Sequence, residues 1–287
     1  MTMPKCYRCR CQPCECSWPK AITEWSEGSM GFLSIPFTWL LPAAKRRILQ
    51  GDLFVKRWVV GGPAVKLMPD YLVGLADYGP DDPTVLQRVH PRATRTTSGC
   101  PRGCAFCGVR TICGQFRELR DWPDAPILCD DNLLAAGRDH IERVFSRLIK
   151  WPSCDFNQGI DCRLLTTWHA QQLATLSRPV IRMALDHDRD REAWADAWDR
   201  LRAAGIAKAR IRSYVLAGFD DGPAEARDRC EYVESFGAKA LPMWFHPLDT
   251  LMLNPLTEQQ KTLGWTHRKR RELMCWYYQH RTLEVRG

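Results

Sequence analysis

Between residues 89 and 250, short apolar runs alternate with segments whose apolar residues recur at helical spacing. The runs predict strands over 93–97, 127–129, 155–164, 180–185, 209–217 and 240–245. Between them, Ile141, Val144, Phe145, Leu148 and Ile149 follow the i, i+3, i+4, i+7, i+8 pattern of one helix face. Trp194, Ala197, Trp198 and Leu201 repeat it, with Gly205 placed to end that helix. Cys230 and Val233 line another, with Gly237 at its C-terminal stop. Strands that alternate with helices favour a parallel sheet, because parallel neighbours need crossovers. An open or partial (β/α)6 TIM-like barrel fits best, and a flat doubly wound sheet is the alternative. In either fold, chemistry gathers at the C-terminal ends of the strands. The groups expected there are Asp130, Asp131, Asp161, Arg163, Asp186, His187, Gly218 and Met243.

The rest of the chain divides around this pattern. Residues 1–20 are a cysteine-rich head. Residues 21–88 carry two apolar runs, 32–41 and 55–67, the second interrupted by Gly61-Gly62-Pro63. They predict a strand–helix–strand unit, a short Rossmann-like α/β cap, in which the glycine pair reads as a turn rather than a phosphate loop. Residues 251–287 form a basic, aromatic tail. There Thr257-Glu258-Gln259-Gln260 has the capping-box pattern of a helix start. His267-Arg268-Lys269-Arg270-Arg271 and Trp276-Tyr277-Tyr278 follow. Basic residues interleaved with aromatics could track a nucleic-acid backbone; a solvated basic helix face is the plainer reading.

With 287 residues, 45% hydrophobic and 26% charged, the chain has the balance of an ordinary globular protein and is long enough to bury a sizeable core. The net charge of +8 permits an anionic partner without requiring one. The first 18 residues contain no apolar signal core, and the longest apolar stretch, 31–44, holds two prolines and is too short to span a bilayer. A cytoplasmic protein without membrane partners is therefore expected.

In that compartment the fourteen cysteines suggest metal or redox chemistry before disulfides. Cys6, Cys9, Cys11, Cys14 and Cys16 crowd the head. They suit zinc or an auxiliary iron–sulfur cluster, or form an incidental cysteine-rich segment. The sharper signal is Cys100, Cys104 and Cys107, in a loop after the first strand. Three thiolates can hold three irons of a [4Fe–4S] cluster and leave the fourth iron open. The same residues could instead be zinc ligands completed by Cys113. Cys129, Cys154, Cys162, Cys230 and Cys275 read as core or near-core thiols.

The segment Cys100-Pro101-Arg102-Gly103-Cys104-Ala105-Phe106-Cys107 resembles the CxxxCxΦC motif of the radical S-adenosylmethionine (radical SAM) enzymes. Leu128-Cys129-Asp130-Asp131-Asn132, Gly159-Ile160-Asp161-Cys162-Arg163-Leu164 and Tyr214-Val215-Leu216-Ala217-Gly218-Phe219 are similar to segments of the branch that often carries a cobalamin-binding domain. The resemblance covers about residues 90–245. It implies a [4Fe–4S] cluster on Cys100, Cys104 and Cys107 and SAM as cosubstrate. Reductive cleavage of SAM would give a 5′-deoxyadenosyl radical that abstracts hydrogen from substrate. It further implies a reducing partner such as flavodoxin or ferredoxin, and it argues against Cys113 as a fourth ligand.

By the same similarity Asp130 and Asp131 would meet the SAM amino group, although one of them could cap a helix beginning near Asn132. Arg163 would meet the carboxylate, Asp161 shares its strand face, and Asp186 would meet the ribose. The backbones of Phe106 and Gly218 would lie near the adenine. The 21–88 unit resembles a shortened cobalamin-binding domain but lacks the DxHxxG segment, so cobalamin is not expected. The substrate stays open, with a nucleoside or nucleic acid as the leading idea. A non-catalytic zinc protein that binds nucleic acid is the alternative function, and within the superfamily methyl or methylthio transfer competes with simple hydrogen abstraction.

Overall fold

The computed structural model describes residues 21–79 and 84–276. The head cysteines Cys6 to Cys16, and Tyr277 and Tyr278, lie outside them. The fold is mixed α/β with several small sheets, none closed into a barrel. The strands are β1 (Thr23–Glu27), β2 (Met30–Ser34), β3 (Arg57–Gly61), β4 (Asp77–Tyr78), β5 (Ala93–Thr94), β6 (Thr97–Ser98), β7 (Arg117–Glu118), β8 (Ile127–Leu128), β9 (Asp155–Phe156), β10 (Ile181–Ala184), β11 (Ile211–Ala217) and β12 (Lys239–Trp244).

The first sheet has the order β1-β2-β3-β4. The helix Leu41–Gln50 crosses between the parallel strands β2 and β3, as the strand–helix–strand pattern predicts. The apolar runs are shorter as strands than as runs. The first leaves the ladder after Ser34, just before Pro36, and the second turns at Gly62 into the short helix Pro63–Leu67. Gly62 has φ +93°, and a Cβ there would sit 2.8 Å from the Ile35 backbone. Gly62 is thus packed inward as the turn, while Gly61 ends β3 with open space where a Cβ would go. Strands β1 and β4 carry polar sequences with no clear alternation, and the apolar pattern misses both. Leu33, Ile35, Leu41, Val60, Ala64 and Leu72 form the core of this part.

The remaining parallel strands follow chain order in two sheets, β5-β8-β9 and β10-β11-β12. A single parallel bridge between Asp155 and Val180 links them. The helices Arg138–Leu148, Thr167–Ala174, Arg191–Ala203 and Pro223–Ser235 make the crossovers. The apolar faces predicted on the first, third and fourth of these helices are buried, apart from Ile149. Trp194, Ala197, Trp198 and Leu201 are all buried, and Gly205 and Gly237, at φ +91° and +84°, end their helices. Ile149 departs from its predicted face. It is the C-cap residue, its N–H still bonded to the Phe145 carbonyl, and its side chain is exposed at the helix end.

Two predicted strands are cut short for identifiable reasons. The 93–97 run breaks after Thr94 because the Asp130 carboxylate takes the N–H groups of Thr96 and Thr97 out of the ladder. The chain then pairs Thr97–Ser98 with Arg117–Glu118 instead. The 155–164 run is a strand only at Asp155–Phe156. Gly159, at φ +95°, turns it, and Asp161 accepts from the Arg163 N–H to set the 3-10 turn Cys162–Leu164. No helix among the described residues is long and apolar enough to cross a membrane.

Candidate functional site

The cysteine loop is tied down from the strand ends beside it. Gly99 opens it at φ +81°, folded so tightly that a Cβ would lie 2.4 Å from the Gln115 carbonyl. The Gly99 N–H donates to Asp131 Oδ2 at 2.8 Å. One residue along the β8 end, Asn132 Nδ2 donates to Cys100 Sγ at 3.4 Å and to Asp161 Oδ2 at 3.2 Å. Asp161 also accepts from Arg102 Nε at 3.0 Å, so the loop is held from the β9 side too. These bonds fix the start of the loop and leave Cys100 and Cys104 half-buried and Cys107 exposed.

Asp130 and Asp131 therefore face the loop's base. Asp130 is buried, and its Oδ1 accepts from the backbone and hydroxyl groups of both Thr96 and Thr97. Burial pushes its pKa up against the pull of those donors. Neither aspartate caps the turn at Leu133–Ala135, whose N-cap residue is Asn132 and which has no side-chain capping bond. Burial works against the Asp161 carboxylate too, but the bond and charge of Arg163 and the charge of Arg102 outweigh it and hold its pKa below the usual carboxylate range.

A cavity of about 330 Å³ opens beside the loop. Gly103, Cys104, Ala105 and Phe106 form one wall, and Arg163 and the strand-end residues of β10 and β11 form the others. Of the residues expected from sequence, Cys104, Phe106, Arg163, Asp186 and His187 line it together. Asp130, Asp131 and Asp161 lie behind the loop, and Met243 is exposed outside the cavity lining. Arg163 is half-committed: it bonds Asp161 at 2.8 Å and lies 3.7 Å from Asp190. Burial pushes the Asp186 carboxyl up to about 6, against the opposing pull of His187 and Arg163. Phe106 packs on His187 and Phe219, with ring centroids 5.8 and 5.6 Å apart.

Gly218 shapes the wall without lining it. Its N–H donates to Asp221 Oδ1 at 2.7 Å, and its carbonyl accepts from Gln260 Nε2 at 2.8 Å. Asp221 pairs in turn with buried Arg229, and its carbonyl accepts from Trp265 Nε1. The predicted capping box at Thr257 and Gln260 forms, and the same Gln260 reaches the β11 turn. In the tail, Arg270 stacks over Trp244, Trp276 is buried, and Arg268 stands out in solvent.

Sequence reasoning passed over Arg189, Asp190, Phe219 and Asp220 as cavity residues. They follow β10 and β11 directly, so the strand-end rule extended by a few residues would have found them. It also gave Asn132 no role beyond a helix start and a place in the Leu128–Asn132 segment.

The donor set can be tested against a metal centre. Among the described residues, no three His, Cys, Asp or Glu side chains converge where a single ion would sit. Cys113 is buried and accepts from Arg95 Nη1 at 3.4 Å, engaged apart from the loop. A zinc site of Cys100, Cys104, Cys107 and Cys113 is thus not assembled. A [4Fe–4S] cube takes each thiolate on a different iron, so its three ligands surround the cube and do not meet at one ion.

Comparison with known proteins gives one line of similarity. No protein-family model matches the chain, and no curated protein matches it in sequence. Among solved structures, it is similar to TsrM from Kitasatospora setae, a radical S-adenosylmethionine methyltransferase with cobalamin and a [4Fe–4S] cluster bound. The TM-score is 0.57 and the identity 12%, over 75% of this chain and 64% of the TsrM chain. At that identity what the two chains share is the fold.

Proposed function

We propose that this chain is a radical SAM enzyme, built on a partial (β/α)6 barrel in which the strands β5, β8, β9, β10, β11 and β12 form an open arc. The observation that carries the proposal is the cysteine loop held against a cavity at the C-terminal ends of parallel strands. Cys100, Cys104 and Cys107 would hold the [4Fe–4S] cluster, which when bound supplies an electron to the sulfonium of SAM. The chain's own residues bind and orient that ligand. Arg163, with one arm on Asp161, offers the rest of its guanidinium to a carboxylate. Asp186 offers a carboxylate to ribose hydroxyls or an ammonium. Phe106 and Phe219 supply an apolar wall for a flat base and exclude water. Asp130 and Asp131 fix the loop that carries the cysteines.

Cobalamin stands outside the proposal. Residues 21–79 contain no histidine and so do not fit a histidine-ligated cobalt, and no step is drawn through it. A reducing protein such as flavodoxin or ferredoxin would complete the system. The substrate is an organic molecule admitted through the same cavity mouth, with a nucleoside or nucleic acid as the leading candidate.

The test is anaerobic reconstitution followed by iron and sulfide analysis. Dithionite and SAM are then added, and 5′-deoxyadenosine and S-adenosylhomocysteine are assayed by mass spectrometry. About four irons per chain with either product support the proposal, and the product identifies hydrogen abstraction or methyl transfer. Zinc without iron, and no SAM turnover, would refute it.

A further inference from the structure

Asn132 is buried beside the cysteine loop, and its amide stands between two sulfur and oxygen acceptors. Both amide hydrogens are used: one points to Cys100 Sγ at 3.4 Å and the other to Asp161 Oδ2 at 3.2 Å. Flipping the amide would turn its oxygen toward a carboxylate and a thiolate, so these two acceptors fix its orientation. The orientation is kept although it leaves Asn132 Oδ1 buried with no hydrogen-bond partner. Asp161 is itself locked by Arg102 and Arg163, which gives the amide a rigid anchor on the side away from sulfur. Cys100 Sγ also accepts from the Arg102 backbone N–H at 3.4 Å. A thiol in a bland loop would have no need of this arrangement. A ligating thiolate would, because hydrogen bonds to cluster sulfurs shift the reduction potential.

We infer that Asn132 is a positioning residue that tunes the cluster through Cys100: its Nδ2–H bond to the thiolate favours the reduced, more negative state and raises the reduction potential. Asp161 holds the amide in register for that bond. The inference rests on the cluster assignment above, and its test separates the two.

The experiment is a redox titration of the reconstituted full chain, followed by electron paramagnetic resonance, comparing wild type with Asn132→Leu and Asn132→Asp. Leucine keeps the branched outline and removes the donor. Aspartate keeps the shape, removes the donor and adds charge. With iron content unchanged, each variant should hold roughly tenfold less reduced cluster at a fixed potential, a shift of about 59 mV downward for one electron. A ratio unchanged within about twofold in variants that carry the cluster would overturn the inference and leave the cluster assignment standing. Folded variants that both fail to take up iron would overturn it in favour of a purely structural role. Failure of the wild type to form a cluster would sink the enzyme proposal itself.

Discussion

Replacing Gly218 with alanine should damage both the fold and the cavity, by an amount that can be worked out. Gly218 has φ +80°, where an L side chain costs about 1–2 kcal/mol. A Cβ there would also lie 2.6 and 2.7 Å from Trp244 ring carbons. Carbon–carbon contacts prefer about 3.5–4.0 Å, so the ring or the turn must move by roughly 1 Å. The ring is poorly free to do so, because Trp265 packs edge-on against it at 4.9 Å and Arg270 covers it. Forced overpacking of this kind costs about 1–3 kcal/mol. The total expected for Gly218→Ala is therefore about 2–5 kcal/mol, a large share of a typical stability of about 5–15 kcal/mol. Gly205→Ala is the control. It has φ +91° but open space where the Cβ would go, so it should cost only the backbone part, about 1–2 kcal/mol. Urea midpoints at unchanged slope measure both. Phe219 and Asp220 follow Gly218 into the cavity wall, so SAM affinity, read by calorimetry, should fall in Gly218→Ala and not in Gly205→Ala. If both variants lose the same stability, the Trp244 contact does not constrain the turn and the reasoning fails.

Three further outcomes are expected. Changing Cys100, Cys104 and Cys107 together to alanine should abolish iron uptake while the circular dichroism spectrum stays that of the wild type; full iron content in the triple variant would contradict the loop's role. Asp130→Ala should cost about 3 kcal/mol or more in urea unfolding, because it strands the buried Thr96 and Thr97 N–H groups; a loss below about 1 kcal/mol would show that water replaces the carboxylate. Asp186 should give SAM binding a pH dependence. Its folded carboxyl, raised to about 6 by burial and faced by His187, Arg163 and Asp190, is ionised above that pH and neutral below it. Affinity should therefore weaken as pH falls through about 6, and Asp186→Asn should flatten the profile. The same raised value means that the protonated form favours folding, a contribution present at low pH and lost as pH rises through about 6. An equally steep profile in the asparagine variant would assign the dependence elsewhere.

The alternation of apolar runs and helical stripes determined the parallel, crossover-connected character of residues 89–250. Local periodicity carries that information directly, because each buried face is written in i, i+3, i+4 spacing or in a run of β-formers. The helix stops at Gly205 and Gly237 and the capping box at Thr257 were legible for the same reason, since each needs only neighbours in sequence. The three cysteines stood out because their spacing is local as well.

Contacts between distant segments decided the rest. The 93–97 strand breaks because a carboxylate more than thirty residues away captures its N–H groups, and no window around Thr96 contains Asp130. The resemblance assigns Asp130 and Asp131 to the SAM amino group; on folding, Asp130 takes the Thr96 and Thr97 N–H groups and Asp131 that of Gly99. Gln260 looked like a cap and is also a prop for Gly218. Asn132 looked like a helix start, and it reaches a thiolate and a carboxylate that the chain brings together only on folding. Sequence names the residues at the ends of strands. Only the packing of β8, β9 and the cysteine loop decides which of them face the cavity and which hold its wall in place, because side-chain direction there is set by hydrogen bonds to partners far along the chain.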